Sequence, residues 1–369
     1  MDRHQHLKNK SIYPHPNHTS MQTKSIFVVT IICTFACCLS FCSKKDTSTA
    51  TPSSTTTPVL PGTAYNYSNV SFPAHIASSL ALNDNTPANN AITDAGATLG
   101  RLLFYDKNLS ANNTISCSSC HRPEQSFDDS AALSKGFAGG LTARNSMTVL
   151  NLRFYKSGKM FWDERSPSLE SQVLQPIQNT TEMGMSLTQL QTKLEGLNYY
   201  PPLFEKAFGS TGIDSTKIAR ALAQFLRSMV TYQSKYDKVK QGQASFTPDE
   251  AQGEQLFLTA GAVTCAGCHA PPMFLTSEPA APFALRDAND RGIANEDRFK
   301  SGSLRNIAVR SKLFHNGSIA NVQTMLGGAT PPIPNHTVLP QDAPKLLAFL
   351  QTLTDQTLQT DPKFSNPFK

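Results

Sequence analysis

The sequence predicts a mainly α protein made of two domains of one type. One observation is an internal repeat. GRLLF at residues 100–104 and GEQLF at residues 253–257 both read GxxLF, and each leads through a short loop to CxxCH, one further residue and a proline. Such self-similarity marks two copies of one unit. The other is the apolar spacing, which recurs at three and four residues and nowhere settles into a clear run of alternating strands. In chain order, DSTKIARALAQFLRSMV places Ile218, Leu222, Phe225, Leu226 and Met229 on one helical face behind an Asp214 or Ser215 cap. FTPDEAQGEQLF opens a second helix, with Thr247 as cap, Pro248 at the first helical position and Glu250 three residues after the cap. LPQDAPKLLAFLQTL is a third. Long Pro- and Asn-rich loops connect them, and the two domains meet within residues 235–250.

The chain has 369 residues, enough for two cores. Its net charge of +6 owes much to the N-terminus: residues 1–41 hold four basic residues and one acid, leaving 29 basic and 26 acidic residues. That balance gives no basis for a nucleic-acid partner. After Lys24 comes the apolar run SIFVVTIICTFACCLSFC, about the length of a signal-peptide core and marginal for a spanning helix. LSFC resembles a bacterial lipobox, with Cys42 as lipid acceptor. Residues 43–61 are too polar to pack and read as a flexible tether. Met21 is an alternative start to Met1. The expected division is an N-terminal extension and signal peptide (1–41), a lipidated tether (42–64) and two domains (65–240 and 241–369). The expected location is the periplasm, on a membrane through the lipid anchor.

Of eight cysteines, Cys33, Cys37 and Cys38 fall in the signal and Cys42 at the lipobox, so the mature domains hold only the two CxxC pairs. CxxCH is the attachment motif of c-type haem. Two thiols three apart can add to the two vinyl groups of one haem, and the histidine then coordinates the iron. Zinc needs further ligands, and structural zinc spacings are far shorter than the separation of these motifs. A thioredoxin-like pair leaves the histidine and its repetition unexplained. Cys117, Cys120 and His121 therefore hold one haem, and Cys265, Cys268 and His269 a second.

The segments LGRLLFYDKNLS, ISCSSCH, LTARNSMTVLN, FWDERSPSLESQ, PIQNTTEMG, CAGCH and SLRNIAVRSKLFHNGS occur in that order over residues 98–354. With them the chain resembles the bacterial dihaem cytochrome c peroxidase family, which includes the related methylamine-utilisation dihaem oxygenase. The resemblance implies two cytochrome c-like domains, an N-terminal peroxidatic haem and a C-terminal electron-transfer haem. It implies hydrogen peroxide as substrate and a small c-type cytochrome or other periplasmic donor, and it leaves room for a homodimer. It makes Glu182 the acid/base over the peroxidatic iron, Gln172 a second residue of that pocket, and Trp162 the residue between the haems. It implies a calcium ion on the side chain of Asn145 and the carbonyls of Ser301 and Ser303. The alternatives are a dihaem oxidase acting on a protein or small organic substrate, and a non-catalytic anchored electron carrier.

Two departures stand out. Where many members carry a histidine that caps the resting peroxidatic iron, this chain reads SKGFAGG, with Phe137 at that position. A benzyl group cannot ligate iron, and the glycines of that loop suggest a compliant loop around an open site. The distal ligand of the second haem is also displaced. Met325 is the first candidate, His336 the second and Met273 the third, while His315 reads as structural. His75 and His336 are the remaining histidines that could close the first site.

Overall fold

The computed structural model describes residues 57–259, 264–276, 290–328, 336 and 338–368. The expected signal peptide, the expected lipid acceptor Cys42 and most of the expected tether lie outside these residues. The described residues belong to one compact unit, Ser54–Lys369. Among them the structure is helical, and β-pairing is confined to isolated bridges.

Six helices position the site: α1 (Asp94–Tyr105), α2 (Cys117–Cys120), α3 (Ser215–Ser228), α4 (Pro248–Thr259), α5 (Cys265–Cys268) and α6 (Ala343–Gln351). The sequence signals explain their ends. Asp214 caps α3 by accepting from the Lys217 N–H at 2.8 Å. At α4, Glu250 N–H donates to Thr247 Oγ1 while Thr247 N–H donates to the Glu250 carboxylate, a reciprocal capping box.

The repeat becomes two copies of one helix crossing. Gly100 of α1 lies against α3, where a Cβ would stand 2.0 Å from the Ala221 carbonyl oxygen and 2.7 Å from Phe225 Cβ. Gly253 of α4 lies against α6 in the same way, 2.0 Å from the Lys345 carbonyl and 2.8 Å from Phe349 Cβ. The glycine of GxxLF lets two backbones touch, and the phenylalanines, Phe104 and Phe257, are each buried to 1%. A second device is also doubled. Asn151 and Asn306 both adopt left-handed backbone. Asn151 donates its backbone N–H to Met229 O and accepts from Thr231 N–H, while Asn306 does the same with Leu353 O and Asp355 N–H.

Buried apolar residues form two clusters. The first draws on residues 67–230 and the second mainly on residues 236–353. The end of the chain returns to the first: Leu358 and Phe364 are buried there. The hydroxyls of Tyr67 and Tyr105 donate to Lys363 O and Phe364 O at 2.5 Å, and Arg101 donates to Pro362 O at 2.7 Å. The last residues of the predicted tether are docked as well, with Val59 N–H on Pro367 O and Leu60 against the first cluster.

A buried ion pair, Asp237 with Arg305, also engages His75. Asp237 receives two hydrogen bonds from Arg305, at 2.7 and 2.8 Å, and pairs with His75 Nε2 at 2.9 Å. Burial pushes the Asp237 carboxyl up, but Arg305 and His75 outweigh it and hold it at about 2. His75 is thus committed to a structural pair rather than to the first haem site.

Candidate functional site

Both CxxCH motifs adopt one conformation. Each CxxC is a single helical turn, α2 or α5, and the histidine follows as its C-cap with φ/ψ of −110°/75° (His121) and −127°/64° (His269). Its N–H donates to the carbonyl of the first cysteine at 2.9 Å in each case. Ser116 and Thr264 cap the turns and fix where the two thiols project.

The α5 motif opens on a cavity of about 500 Å³ whose walls include Cys265, Cys268 and His269. His269 Nδ1 faces the carbonyls of Gly302 at 3.1 Å and Phe274 at 3.3 Å, so the Nδ1 proton is held by backbone and Nε2 is left for a metal. Burial, with the nearby His336 ring, pushes the His269 imidazole down to about 4, which keeps it neutral as a ligand must be. On the same wall Arg310 is buried with its Nε lacking a hydrogen-bond partner. An apolar cavity with the neutral His269 imidazole, two thiols and an unanswered guanidinium N–H fits a haem, whose propionate carboxylates would meet that donor.

Met325 and His336 both line this cavity, and Phe314 packs edge-on to His336 at 5.6 Å. Met273 is not among the described lining residues; it is buried in the first cluster. Trp162 also stands on the wall, with Nε1–H donating to Asn145 O at 2.8 Å and its ring edge-on to His315 at 6.5 Å. His315 is stacked flat on Phe299 at 3.7 Å.

At the first motif, burial pushes the thiol of Cys117 up to about 12 and that of Cys120 up to about 11. Buried sulfurs that stay neutral suit thioether bonds. Burial also lowers the proton affinity of His121, with the carbonyls of Met147 and Phe127 acting the other way. Glu182 lies close enough for its charge to reach both thiols. It is half-buried, and burial raises its carboxyl above the usual range, opposed by Arg165. Gln172 ends the short helix Leu169–Gln172, half-buried. The loop expected to be compliant is pinned: Gly136 and Gly139 close a tight hairpin, and Phe137 is bonded at both its N–H and its carbonyl.

The residues expected at a calcium ion have partners within the protein. The Asn145 amide donates to the carbonyls of Ala131 and Ala132 at 3.1 Å. Ser301 O accepts from the Tyr155 hydroxyl and Ser303 O from Arg310. The ammonium of Lys300 is buried beside Ser301, over the Tyr155 ring at 3.9 Å, and burial lowers it to about 8. Among the described residues no cluster of three His, Cys, Asp or Glu exists to hold a metal ion.

Sequence reasoning missed Arg310, Lys300 and Asp128. Asp128, 2% exposed, lies 3.7 Å from Arg310 on the wall of the same cavity, and burial pushes it up to about 7. Arg310 stands inside the quoted SLRNIAVRSKLFHNGS segment, so its position was visible but its role was not.

A helical chain with two such motifs, one opening on a haem-sized apolar cavity, defines a dihaem c-type protein. The sequence profile described as di-haem cytochrome c peroxidase matches residues 94–245. Methylamine utilization protein MauG of Methylorubrum extorquens is 31% identical, over 72% of this chain and 80% of that protein. Cytochrome c551 peroxidase of Nitrosomonas europaea is 32% identical, over 70% and 79%. A crystal structure of a MauG-like protein associated with microbial copper homeostasis superposes with a TM-score of 0.71 at 29% identity, covering 82% of this chain and 99% of that one. The chain belongs to the dihaem cytochrome c peroxidase family, and is an oxidoreductase of that class with two c-type haems.

Proposed function

We propose that the protein reduces hydrogen peroxide to water with two electrons from a small c-type cytochrome or a similar periplasmic donor. The observation that carries this is Glu182, half-buried beside the first pair of thiols with its carboxyl raised by burial. The haems, when bound, supply the redox chemistry and hold the electrons. The remaining work falls to protein groups. Glu182 takes a proton from the inner peroxide oxygen and returns it to the leaving one, the task of a general acid/base with a raised pKa. His121 and His269 would each ligate one haem iron, and Trp162, on the wall of the cavity at the second motif, is assigned to the path between the two haems. Gln172 is assigned to the peroxide pocket beside Glu182. The deciding experiment is steady-state peroxide consumption with a reduced c-type cytochrome, on the oxidised enzyme as purified, for wild type and Glu182→Gln. Turnover by wild type and its loss in the variant, with both haems retained, is expected. Equal turnover would remove Glu182 from the mechanism.

A second reading, oxidation of a protein or small organic substrate, is favoured by Phe137 at the position where a capping histidine would otherwise stand. A wild type that consumes peroxide only when an organic reductant replaces the cytochrome would establish it. For the second haem, Met325 remains the first distal ligand and His336 the alternative. A methionine ligand gives a near-infrared charge-transfer band in the oxidised protein, and Met325→Ala should abolish it; its absence in wild type selects His336. We also assign the protein to the periplasmic side of a membrane, anchored at Cys42, so that Cys42→Ser releases it into the soluble fraction.

A further inference from the structure

The segment around Glu182 is a turn organised by Asn179. The Asn179 carbonyl accepts from the N–H groups of Glu182, Met183 and Gly184 at 2.9–3.2 Å, and its side-chain oxygen accepts from Thr181 at 2.8 Å and Glu182 at 3.2 Å. Nothing within that turn engages the Glu182 carbonyl. It is taken from outside by the N–H of Phe137, at 2.9 Å. Phe137 lies near the tip of a hairpin closed by the bridge between Lys135 and Leu141 and by Gly136 N–H on Gly140 O at 2.8 Å. The Asn112 amide holds the Phe137 carbonyl at 2.8 Å.

Two further contacts seat the hairpin on the turn. A Cβ on Gly136 would fall 1.7 Å from the Thr181 carbonyl oxygen, so the two backbones are in direct contact. The Phe137 ring covers Gly184, where a Cβ would meet its Cε1 at 2.4 Å. Gly184 itself has φ of +66°, a conformation that only glycine adopts at no cost. The turn can therefore take this shape only with a glycine at 184, and that glycine leaves a gap which the Phe137 ring fills.

The geometry points to Phe137 as a positioning residue that holds Glu182 in place and keeps water from its turn. This rests on Glu182 as the acid/base. Phe137 touches no reacting atom in this account; it acts through the backbone of Glu182 and by covering Gly184. The charge that shifts the Glu182 carboxyl is that of Arg165, which does not lie on the hairpin. A change at Phe137 thus alters burial and position without altering the local charge. It also explains why a side chain unable to bind iron is placed here: the hairpin retains a structural task with no ligand at its tip.

The test uses the dihaem enzyme with Phe137→Ala, Phe137→Leu and Glu182→Gln, singly and with Phe137→Ala combined with Glu182→Gln. Stopped-flow mixing with peroxide gives the rate against pH, and amide hydrogen exchange gives protection of residues 179–185. Phe137→Ala should slow the peroxide reaction by up to about 100-fold, the scale of a misplaced catalytic group. Its acid limb should move to lower pH as the Glu182 carboxyl becomes wetter, residues 179–185 should exchange faster, and Phe137→Leu should restore most of the rate. In the Glu182→Gln background the further loss should vanish. An equal loss in both backgrounds, or exchange and pH profile unchanged by Phe137→Ala, overturns the proposal. Glu182→Gln reacting as wild type would instead overturn the acid/base reading, while the exchange result would still judge whether Phe137 holds the turn.

Discussion

Single side chains set the electrostatics of this protein, and Asp128 is the clearest case. Its carboxyl is buried, raised to about 7, and faced by Arg310 at 3.7 Å. Because burial wins over the guanidinium, the folded protein binds this proton more tightly than the unfolded chain does. Stability from this group is therefore present at low pH and falls as pH rises from about 4 towards 7. Asp128→Asn should flatten that part of the thermal-stability profile of the holoprotein relative to wild type. Identical profiles would show the carboxyl to be ionised and paired. Glu182 gives the other residue-scale prediction: Glu182→Gln should keep both haems and lose roughly two to four orders of magnitude in turnover. Phe137 marks how far residue-level reading of the sequence extends. Its inability to bind iron follows from its chemistry alone, and the oxidised enzyme should accordingly show one high-spin and one low-spin haem by electron paramagnetic resonance and react with peroxide without a reductive lag. Its seat on Gly184 was not legible, because glycines in a loop suggest freedom and say nothing of what lies against them. Two low-spin haems and a lag would show that another side chain closes the site.

Among elements, the two crossed helix pairs are the most informative. GxxLF could be seen in the sequence as a repeat, but the reason for its glycine could not, since it depends on Ala221 and Lys345, far along the chain. Gly100→Ala and Gly253→Ala each set two effects against one another. Alanine improves helix propensity by about 1 kcal/mol, whereas its Cβ would lie 2.0 Å from a backbone carbonyl that cannot turn away. The clash wins, and each substitution should destabilise by about 1–3 kcal/mol or more. Gly253→Ala should loosen the second haem and leave the first spectrally unchanged, with Gly100→Ala doing the reverse. A variant as stable as wild type in denaturant unfolding would show that the helices separate without penalty. The helix caps at Asp214 and Thr247 were readable because capping is local. The cavity wall was not, because Lys300, Arg310 and Asp128 meet only after the chain has folded.

On the scale of the whole molecule, two attachment motifs predict two covalent haems by mass, and Cys117→Ala with Cys120→Ala should leave one. The two-domain expectation placed everything after residue 240 in the second half, yet residues 358–368 cover the first cluster. Ending the chain at Thr357, which keeps Asp355 on Asn306, should therefore weaken the half that holds Cys117 and Cys120 before the half from which the segment comes. Thermal unfolding followed at each haem separately checks this, and loss confined to the second haem would contradict it.

That returning segment also orders events after export. A chain bound for the periplasm emerges from the membrane N-terminus first, and domains generally fold in that sequence. Here Arg101, Tyr67 and Tyr105 wait for partners 261, 296 and 259 residues away. The first core cannot close until the last dozen residues have emerged. For that interval CSSCH sits in an unfinished fold, its thiols still open to the machinery that joins them to haem, and the carboxyl-terminal residues act as the latch that ends the opportunity.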